Sequence, residues 1–387
     1  MHATIIGLDL AKNVFQLHAE DRSGKVLWKR RLRREELEAF LRKQPPALIG
    51  MEACGSAHHW ARVFTAMGHE VRLMHAKYVK AYVKRGKSDV RDAEAICEAV
   101  QRSSMRFVPI KSVEQQIDRS LERARDLLVK QRTQLMNATR ALLAELGIVA
   151  RAGLRGFTTL ADKIAAGDAV IPRPSLAALK PLVEQWRALH ASIDELEARL
   201  VARAGSDERM RRLMQIPGVG PLTAHAVVTA IGDPKRFSTG RDFAAWAGLT
   251  PLTDSSAEKT RIGHISRQGD HSLRRLMVLG AVNMARHARA KPCEANAWLN
   301  GVIARRPVKV AMVAQAAKTA RIAWALLCSG ENYRAEPPPP RQQRRVEPRN
   351  EARSTSQRRQ IGQDLNQETP LCHRAVQHAA MLGTWFA

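Results

Sequence analysis

Four carboxylates, Asp9, Glu52, Asp89 and Asp92, set the first chemical expectation. Asp9 lies inside a β-rich run, residues 4–10. A strand there has one face in the core, where an ionised carboxylate is costly unless a partner neutralises it. Glu52 closes a second short apolar strand, residues 47–51. Asp89 and Asp92 are three apart at the start of a helical segment and project from one helical face. Two strand positions and one helix start can converge on a cleft at a sheet edge. Such an oxygen-rich cluster suits magnesium, and a pair of these ions clamps the attacking and leaving oxygens of a phosphodiester. Taken singly, the acids have ordinary roles. Asp-x-x-Asp at a helix start is as readily a cap, and Glu52 at a strand end is more often solvated. Asp9 is the least easily explained that way.

Two further constellations lie in the last third of the chain. Ile-Pro-Gly-Val-Gly at 216–220 resembles the hairpin of a helix-hairpin-helix element, in which Gly218 and Gly220 let backbone N–H groups approach a phosphate. Its ordinary counterpart is a turn between helices. Ser255 and Ser256 follow Gly248-Leu249-Thr250-Pro251 and precede Lys259, Arg261, Arg267, Arg274 and Arg275. A serine hydroxyl attacks well only beside a base or a strong electrophilic clamp, and arginines around a phosphate supply the latter. From chemistry alone that signal is weak, because serine in a polar loop is usually a turn former. Cys54 with His58 and His59 invites a metal reading that carries little weight, since adjacent histidines diverge on a helix and no second cluster completes a tetrahedral site.

The elements that must position these groups follow from periodicity. Residues 4–10, 14–20 and 25–32 are β-rich, with a turn at Asp21-Arg22-Ser23-Gly24, and describe an antiparallel meander. A helix at 35–42, the strand 47–51, a helix to Met67 and a strand at 70–74 follow, which implies a mixed sheet with helices packed on it. Ile117, Leu121, Ala124, Leu128, Gln131, Leu135, Ala138 and Leu142 are spaced alternately by four and three, in coiled-coil register. A second stripe runs Leu182, Trp186, Leu189, Ile193, Leu196, Leu200 and is expected to pair with the first, as a hairpin or a dimerisation arm. Residues 147–181 supply the turn and a small helical insert. Beyond Arg212 the pattern is mostly helical, with helices at 243–249, 271–285 and 308–327. The expected division is an α/β domain at 1–110, a coiled-coil arm at 111–205, a helical domain at 206–333 and a basic, disordered tail at 334–387.

Composition narrows the partners. The chain has 387 residues, with 63 Lys and Arg against 37 Asp and Glu, a formal charge of +26. That balance favours a polyanion, nucleic acid foremost. Aromatic residues are 5%, too sparse for a base-stacking platform. The apolar stretch 308–327 is interrupted by Lys309, Lys318 and Arg321, so nothing approaches the ~18 apolar residues of a membrane span. Five scattered cysteines suit reduced thiols, and the expected location is the cytoplasm, at the nucleoid.

The segments Gly-Met-Glu-Ala-Cys-Gly-Ser-Ala-His at 50–58, Lys-Ser-Asp-Val-Arg-Asp-Ala-Glu-Ala at 87–95, Ile-Pro-Gly-Val-Gly at 216–220 and Gly-His-Ile-Ser-Arg-Gln-Gly-Asp at 263–270 strongly resemble the DEDD transposases of the IS110 family, and within it the IS1111 group. Pilin-gene invertases belong to the same superfamily. The resemblance runs in order from about Ile5 to Tyr333. It implies a RuvC-like (RNase H-like) domain, a coiled-coil arm and a helical transposase domain. It also implies that Asp9, Glu52, Asp89 and Asp92 bind Mg2+ and that Ser256 is the nucleophile, forming a phosphoserine link to DNA. By the same resemblance the acids and the serine come from different subunits of a dimer or tetramer, and a non-coding guide RNA from the element pairs with target and donor DNA. The family usually has Gly after its serine, whereas Ala257 follows Ser256, which keeps Ser255 as an alternative. Ala317 stands where Asn is common, and residues after Tyr333 match nothing in the family. The competing expectations are a RuvC-like hydrolytic junction nuclease, which needs no serine, and a non-catalytic basic protein that assembles on DNA.

Overall fold

The computed structural model describes residues 4–84, 88–253, 261–291, 293 and 296–334. Ser255, Ser256 and Lys259 lie outside the described residues, as does the tail beyond Arg334 for which disorder is expected.

Three antiparallel strands open the chain, β1 (Ile5–Asp9), β2 (Val14–Glu20) and β3 (Val26–Arg33). After α1 (Arg34–Arg42) comes β4 (Leu48–Glu52), which lies parallel to β1. Then α2 (Ala57–Ala66) leads to β5 (Glu70–Met74), parallel to β4. Two more helices, α3 (Ala76–Val79) and α4 (Asp89–Val100), precede a short β6 (Phe107–Val108) antiparallel to β5. The sheet order is β3-β2-β1-β4-β5-β6, a mixed α/β sheet as expected, with β6 as an addition.

Alternation along the strands sorts two cores. Ile6, Leu8, Phe15, Leu17, Ile49 and Met51 face α1 and α2, whose Leu37, Leu41, Trp60 and Phe64 repeat at helical spacing. On the opposite face Ile5 and Met74 pack against Ile96, Cys97 and Val100 of α4. That face has a groove. Gly7 of β1 and Gly50 of β4 are register partners, and α4 lies across them. A Cβ on Gly7 would stand 2.2 Å from the Ala93 carbonyl oxygen and 2.5 Å from the Cys97 nitrogen, and one on Gly50 would stand 2.8 Å from Val100 Cβ. Only glycine lets the helix approach this closely.

The rest is helical. It comprises α5 (Val113–Ala144), α6 (Gly153–Ala166), α7 (Arg173–Ser206), α8 (Glu208–Met214), α9 (Pro221–Ile231) and α10 (Gly240–Trp246). A two-stranded sheet, β7 (Pro251–Thr253) and β8 (Ile262–Ile265), precedes α11 (His271–Ala290), α12 (Ala297–Arg305) and α13 (Val308–Ser329). The core of this half joins α9, α10, α11 and α13. Met1–Tyr333 form one unit by contact density.

The long helices differ from expectation in one respect. On α7 the predicted stripe is the inward one, with Trp186, Ile193 and Leu200 buried. On α5 it is not. Ile117, Ala124, Gln131, Ala138 and Leu142 are exposed, Ile117 at 56% and Leu142 at 48%. The inward face of α5 instead carries Arg119, Glu122, Met136, Thr139 and Leu143. Its pairing with α7 is apolar where Met136 and Leu143 meet Leu179, Val183 and Trp186, and polar elsewhere: Arg125 donates to Glu197 at 2.8 Å, and Arg132 bonds His190 at 3.0 Å. An apolar period reveals which stripe is apolar, and here a polar stripe with built-in partners took the inward position.

The groove yields a prediction. Gly7→Ala must push α4 off the sheet and is expected to cost about 1–3 kcal/mol in urea unfolding. Gly55→Ala, where a Cβ meets nothing within 4 Å, should stay within about 0.5 kcal/mol of wild type. Equal stability of the two variants would show that the close approach is not a constraint.

Candidate functional site

Asp9 and Glu52 each stand two residues beyond a groove glycine, so both leave the ends of β1 and β4 on the face that α4 covers. Asp89 and Asp92 form the first turn of α4, where the helix favours negative charge. Laying α4 in the groove therefore brings its acidic end down on Asp9. One oxygen from each of Asp9, Asp89 and Asp92 lies within 4.8 Å of the others. Glu52 stands outside this group of three but is coupled to it through the charge of Asp92.

Electrostatics records the crowding. Burial first, then the charges of Asp92, Asp89 and Glu52, push Asp9 up to about 6, against a lowering hydrogen bond from the Leu10 backbone. Glu52 also rises, through burial and then Asp92, with His75 pulling the other way. The donors are all carboxylate oxygens, Asp89 exposed and the others half-buried. Hard, partly accessible oxygens under mutual repulsion fit a divalent cation of the magnesium type.

His75 was not anticipated. It follows β5 as Asp9 ends β1 and Glu52 ends β4, and it caps α3, its Nδ1 accepting the Lys77 backbone N–H at 3.2 Å. The signal available in the sequence was its position at the end of a third parallel strand. The histidine pair next to Cys54 gathers no metal-ligating group among the described residues. His58 Nδ1 accepts the Lys111 backbone N–H at 3.2 Å, and burial with Lys111, Arg62 and Arg123 nearby pulls its pKa to about 4, which suits a neutral structural ring. Further along the α4 face, His18, Glu20 and Cys97 also bring donor atoms within 4.8 Å of one another. There the Glu20 carboxylate is bonded to His18 at 2.9 Å and accepts from Gln101 at 3.3 Å.

In the helical half, residues 216–220 form the turn between α8 and α9, and Gly220 caps α9. Gly218 has φ +81°, and a Cβ there would lie 2.8 Å from the Met284 sulfur and 3.1 Å from the Gly280 carbonyl oxygen. Its lack of a side chain thus serves the packing of this turn on α11. Strands β7 and β8 pair antiparallel on either side of residues 254–260. Arg261 and Arg267 are exposed. Arg274, expected to contact nucleic acid, is 8% exposed, and its guanidinium donates to the Gln268 carbonyl at 2.7 Å. It is committed to holding the chain that enters α11. The same helix start is tied to α5: Arg119 pairs with Asp270, and Asp126 pairs with Arg275 and accepts from Ser272 at 2.5 Å.

Comparisons with known proteins place the chain among transposases. Residues 6–148 match the DEDD transposase family of IS110, and residues 210–295 match the Transposase IS116/IS110/IS902 family. A protein of Pseudomonas aeruginosa named "Probable family 20 transposase" is 45% identical over 86% of this chain and 99% of its own length. The transposase for insertion sequence element IS1111A of Coxiella burnetii is 40% identical over 85% of this chain and 91% of its own. The transposase for insertion sequence element IS1328 of Yersinia enterocolitica is 36% identical over 85% and 98%.

The crowding predicts a pH signature. Asp9 takes up its proton near pH 6 when folded and near 3.8 when unfolded, so the folded chain binds more protons in between and loses stability as pH rises through that window. Asp9→Asn is therefore expected to raise the melting temperature in EDTA at pH 8 by a few degrees. The gain should shrink as pH falls below 6 and vanish near 3.8. A gain independent of pH, or a loss at pH 8, would remove the raised Asp9 carboxyl, buried and crowded, from the account.

Proposed function

The chain belongs to the IS116/IS110/IS902 family of transposases, and we propose that Asp9, Glu52, Asp89 and Asp92 form the metal-binding half of its DNA-cleaving site. Family membership makes it an enzyme of DNA transposition that acts on an insertion sequence. The observation that carries the site reading is the meeting of Asp9, Asp89 and Asp92 within 4.8 Å. The strand order β3-β2-β1-β4-β5 supports reading residues 1–110 as a sheet of the RNase H type, with an arm at 111–205, a helical domain at 206–333 and a tail at 334–387.

In this reading the four carboxylates would hold Mg2+, which would supply charge neutralisation and alignment at the scissile phosphate. Asp9, Asp89 and Asp92 would hold it, with Glu52 contributing charge from the end of β4. Ser256, with Ser255 as its neighbour, is the attacking group. Its Oγ forms a bond to phosphorus while a backbone P–O bond of the DNA breaks, the serine proton passing to solvent and the departing sugar oxygen taking one up. Arg261, Arg267 and Lys259 neutralise phosphates around it, and the Gly218–Gly220 turn offers backbone N–H groups to another.

Self-association is supported by α5, whose stripe leaves Ile117, Ala124 and Leu142 exposed among the described residues. A second copy on that stripe gives a homo-oligomer in which acids and serine come from different subunits. The charge of +26 leaves room for a guide RNA beside DNA, and a nucleoid location follows from such partners. Among the described residues no helix is long and apolar enough to cross a membrane.

Two substitutions at the acids and one at the serine test this. Asp9→Ala and Asp92→Ala should reduce Mg2+-dependent strand cleavage to background and leave DNA affinity within a few-fold of wild type. A nicked suicide substrate should trap a covalent protein–DNA adduct with wild type and none with Ser256→Ala. Cleavage retained by both acid variants would refute the site, and an undiminished adduct in Ser256→Ala would move the attack elsewhere.

A further inference from the structure

Strand β3 is an edge of the large sheet and carries Lys29, Arg30, Arg31 and Arg33, all exposed. Register sorts the four into two faces. Asp9 is opposite Gln16 across β1 and β2, and Gln16 is opposite Arg31 across β2 and β3. Residues directly opposite in neighbouring strands point to the same face. Arg31 therefore stands on the α4 face, two strand spacings or about 10 Å from Asp9. Lys29 is opposite His18 and Arg33 opposite Val14, so both share that face. The charge of Lys29 reaches Glu94 on α4, as this placement requires. Arg30 is opposite the buried Leu17 and points to the other face.

Little inside the protein neutralises this row. Among the described residues Lys29 and Arg31 have no hydrogen bond or ion pair through their side chains, and Arg33 reaches only the exposed Glu35, at 4.0 Å. Three cations at i, i+2 and i+4 repeat every ~6.6 Å along an extended strand. The row lies on the same sheet face as the acidic cluster, with Arg31 in line with Asp9. Cations on an edge strand also discourage edge-to-edge pairing of sheets. That role needs charge on either face, and Arg30 would serve it as well as Arg31.

We propose that Lys29, Arg31 and Arg33 form a phosphate track that holds the DNA backbone alongside the acidic cluster. The inference rests on reading that cluster as the cleavage site. It adds a surface on which the DNA backbone lies, two strands away from the acids on the same sheet face. Acids that repel phosphate thus lie beside the middle of a row that attracts it, and the row holds the backbone in place where the acids alone would repel it.

The test is the salt dependence of binding by the full-length protein to a mixed-sequence DNA duplex, measured in EDTA so that no cleavage occurs. Each phosphate contact contributes about 0.9 to the slope of log affinity against log salt. Arg31→Gln is expected to reduce the slope by about 0.9, and Lys29→Gln, Arg31→Gln and Arg33→Gln together by about 2.7, with unchanged melting temperature. Arg30→Gln, the same charge change on the other face, should leave the slope as it is. Equal effects of Arg30→Gln and Arg31→Gln would overturn the track, as would a triple variant that keeps the wild-type DNA slope and loses affinity only for structured RNA. Because no metal or cleavage enters this measurement, a failure here is separate from a failure of the acidic site, which is read from the cleavage of Asp9→Ala and Asp92→Ala.

Discussion

Like charges do not gather without something that holds them, and here the holder is the seating of α4 over Gly7 and Gly50. Three carboxylates within 4.8 Å repel one another, and burial first, then that repulsion, lifts Asp9 to about 6. What offsets it is apolar. Ile96, Cys97 and Val100, all fully buried, press the helix onto the face where Ile5 and Met74 wait. The two glycines set the depth. A side chain at either would raise the helix, and the acidic first turn of α4 would lift away from Asp9. The acids are thus placed by residues with no chemistry of their own, and a cation held among them would relieve their repulsion.

The acids themselves were legible in the sequence because charge inside an apolar strand is anomalous and because Asp-x-x-Asp fixes a shared helical face. Their pairing was also written there, as Gly-Leu-Asp ending β1 and Gly-Met-Glu ending β4, but that repeat acquires meaning only when the strands are known to be register partners. Strands and helices of the first hundred residues could be read to within a residue or two, since alternation of period two is unambiguous in so polar a chain. His75 escaped because its significance is topological: it ends a third parallel strand, and nothing in its neighbours marks it. Arg274 escaped differently. Basic residues in a basic segment look alike, and only burial separates the one that bonds Gln268 and Ala247 from Arg261 and Arg267 at the surface.

α5 departs in part from its apolar period, for a reason that bears on the whole molecule. Met136 and Leu143 join an apolar core with α7, but the face toward α9 and α11 is a buried polar network. Glu122 accepts from Arg119 at 2.7 Å, from His225 at 2.7 Å and from Thr229 at 2.9 Å, and Arg119 continues to Asp270 at the start of α11. Buried ion pairs contribute little net stability, yet removing one partner leaves a charge uncompensated and costs about 3–5 kcal/mol. They act as register pins. An apolar face could slide along its neighbours, whereas this one fits α9 and α11 in one position.

That pinning gives α5 two tasks on two faces. It leaves the sheet domain after β6, and its polar face fixes α11, the helix that begins where the β7–β8 segment ends. The start of α11, just after β8, is therefore tied to a helix that follows directly on the sheet domain. The two faces of α5 thus differ in kind: ionic contacts pin the inside, while Ile117 and Leu142 stay at the surface among the described residues.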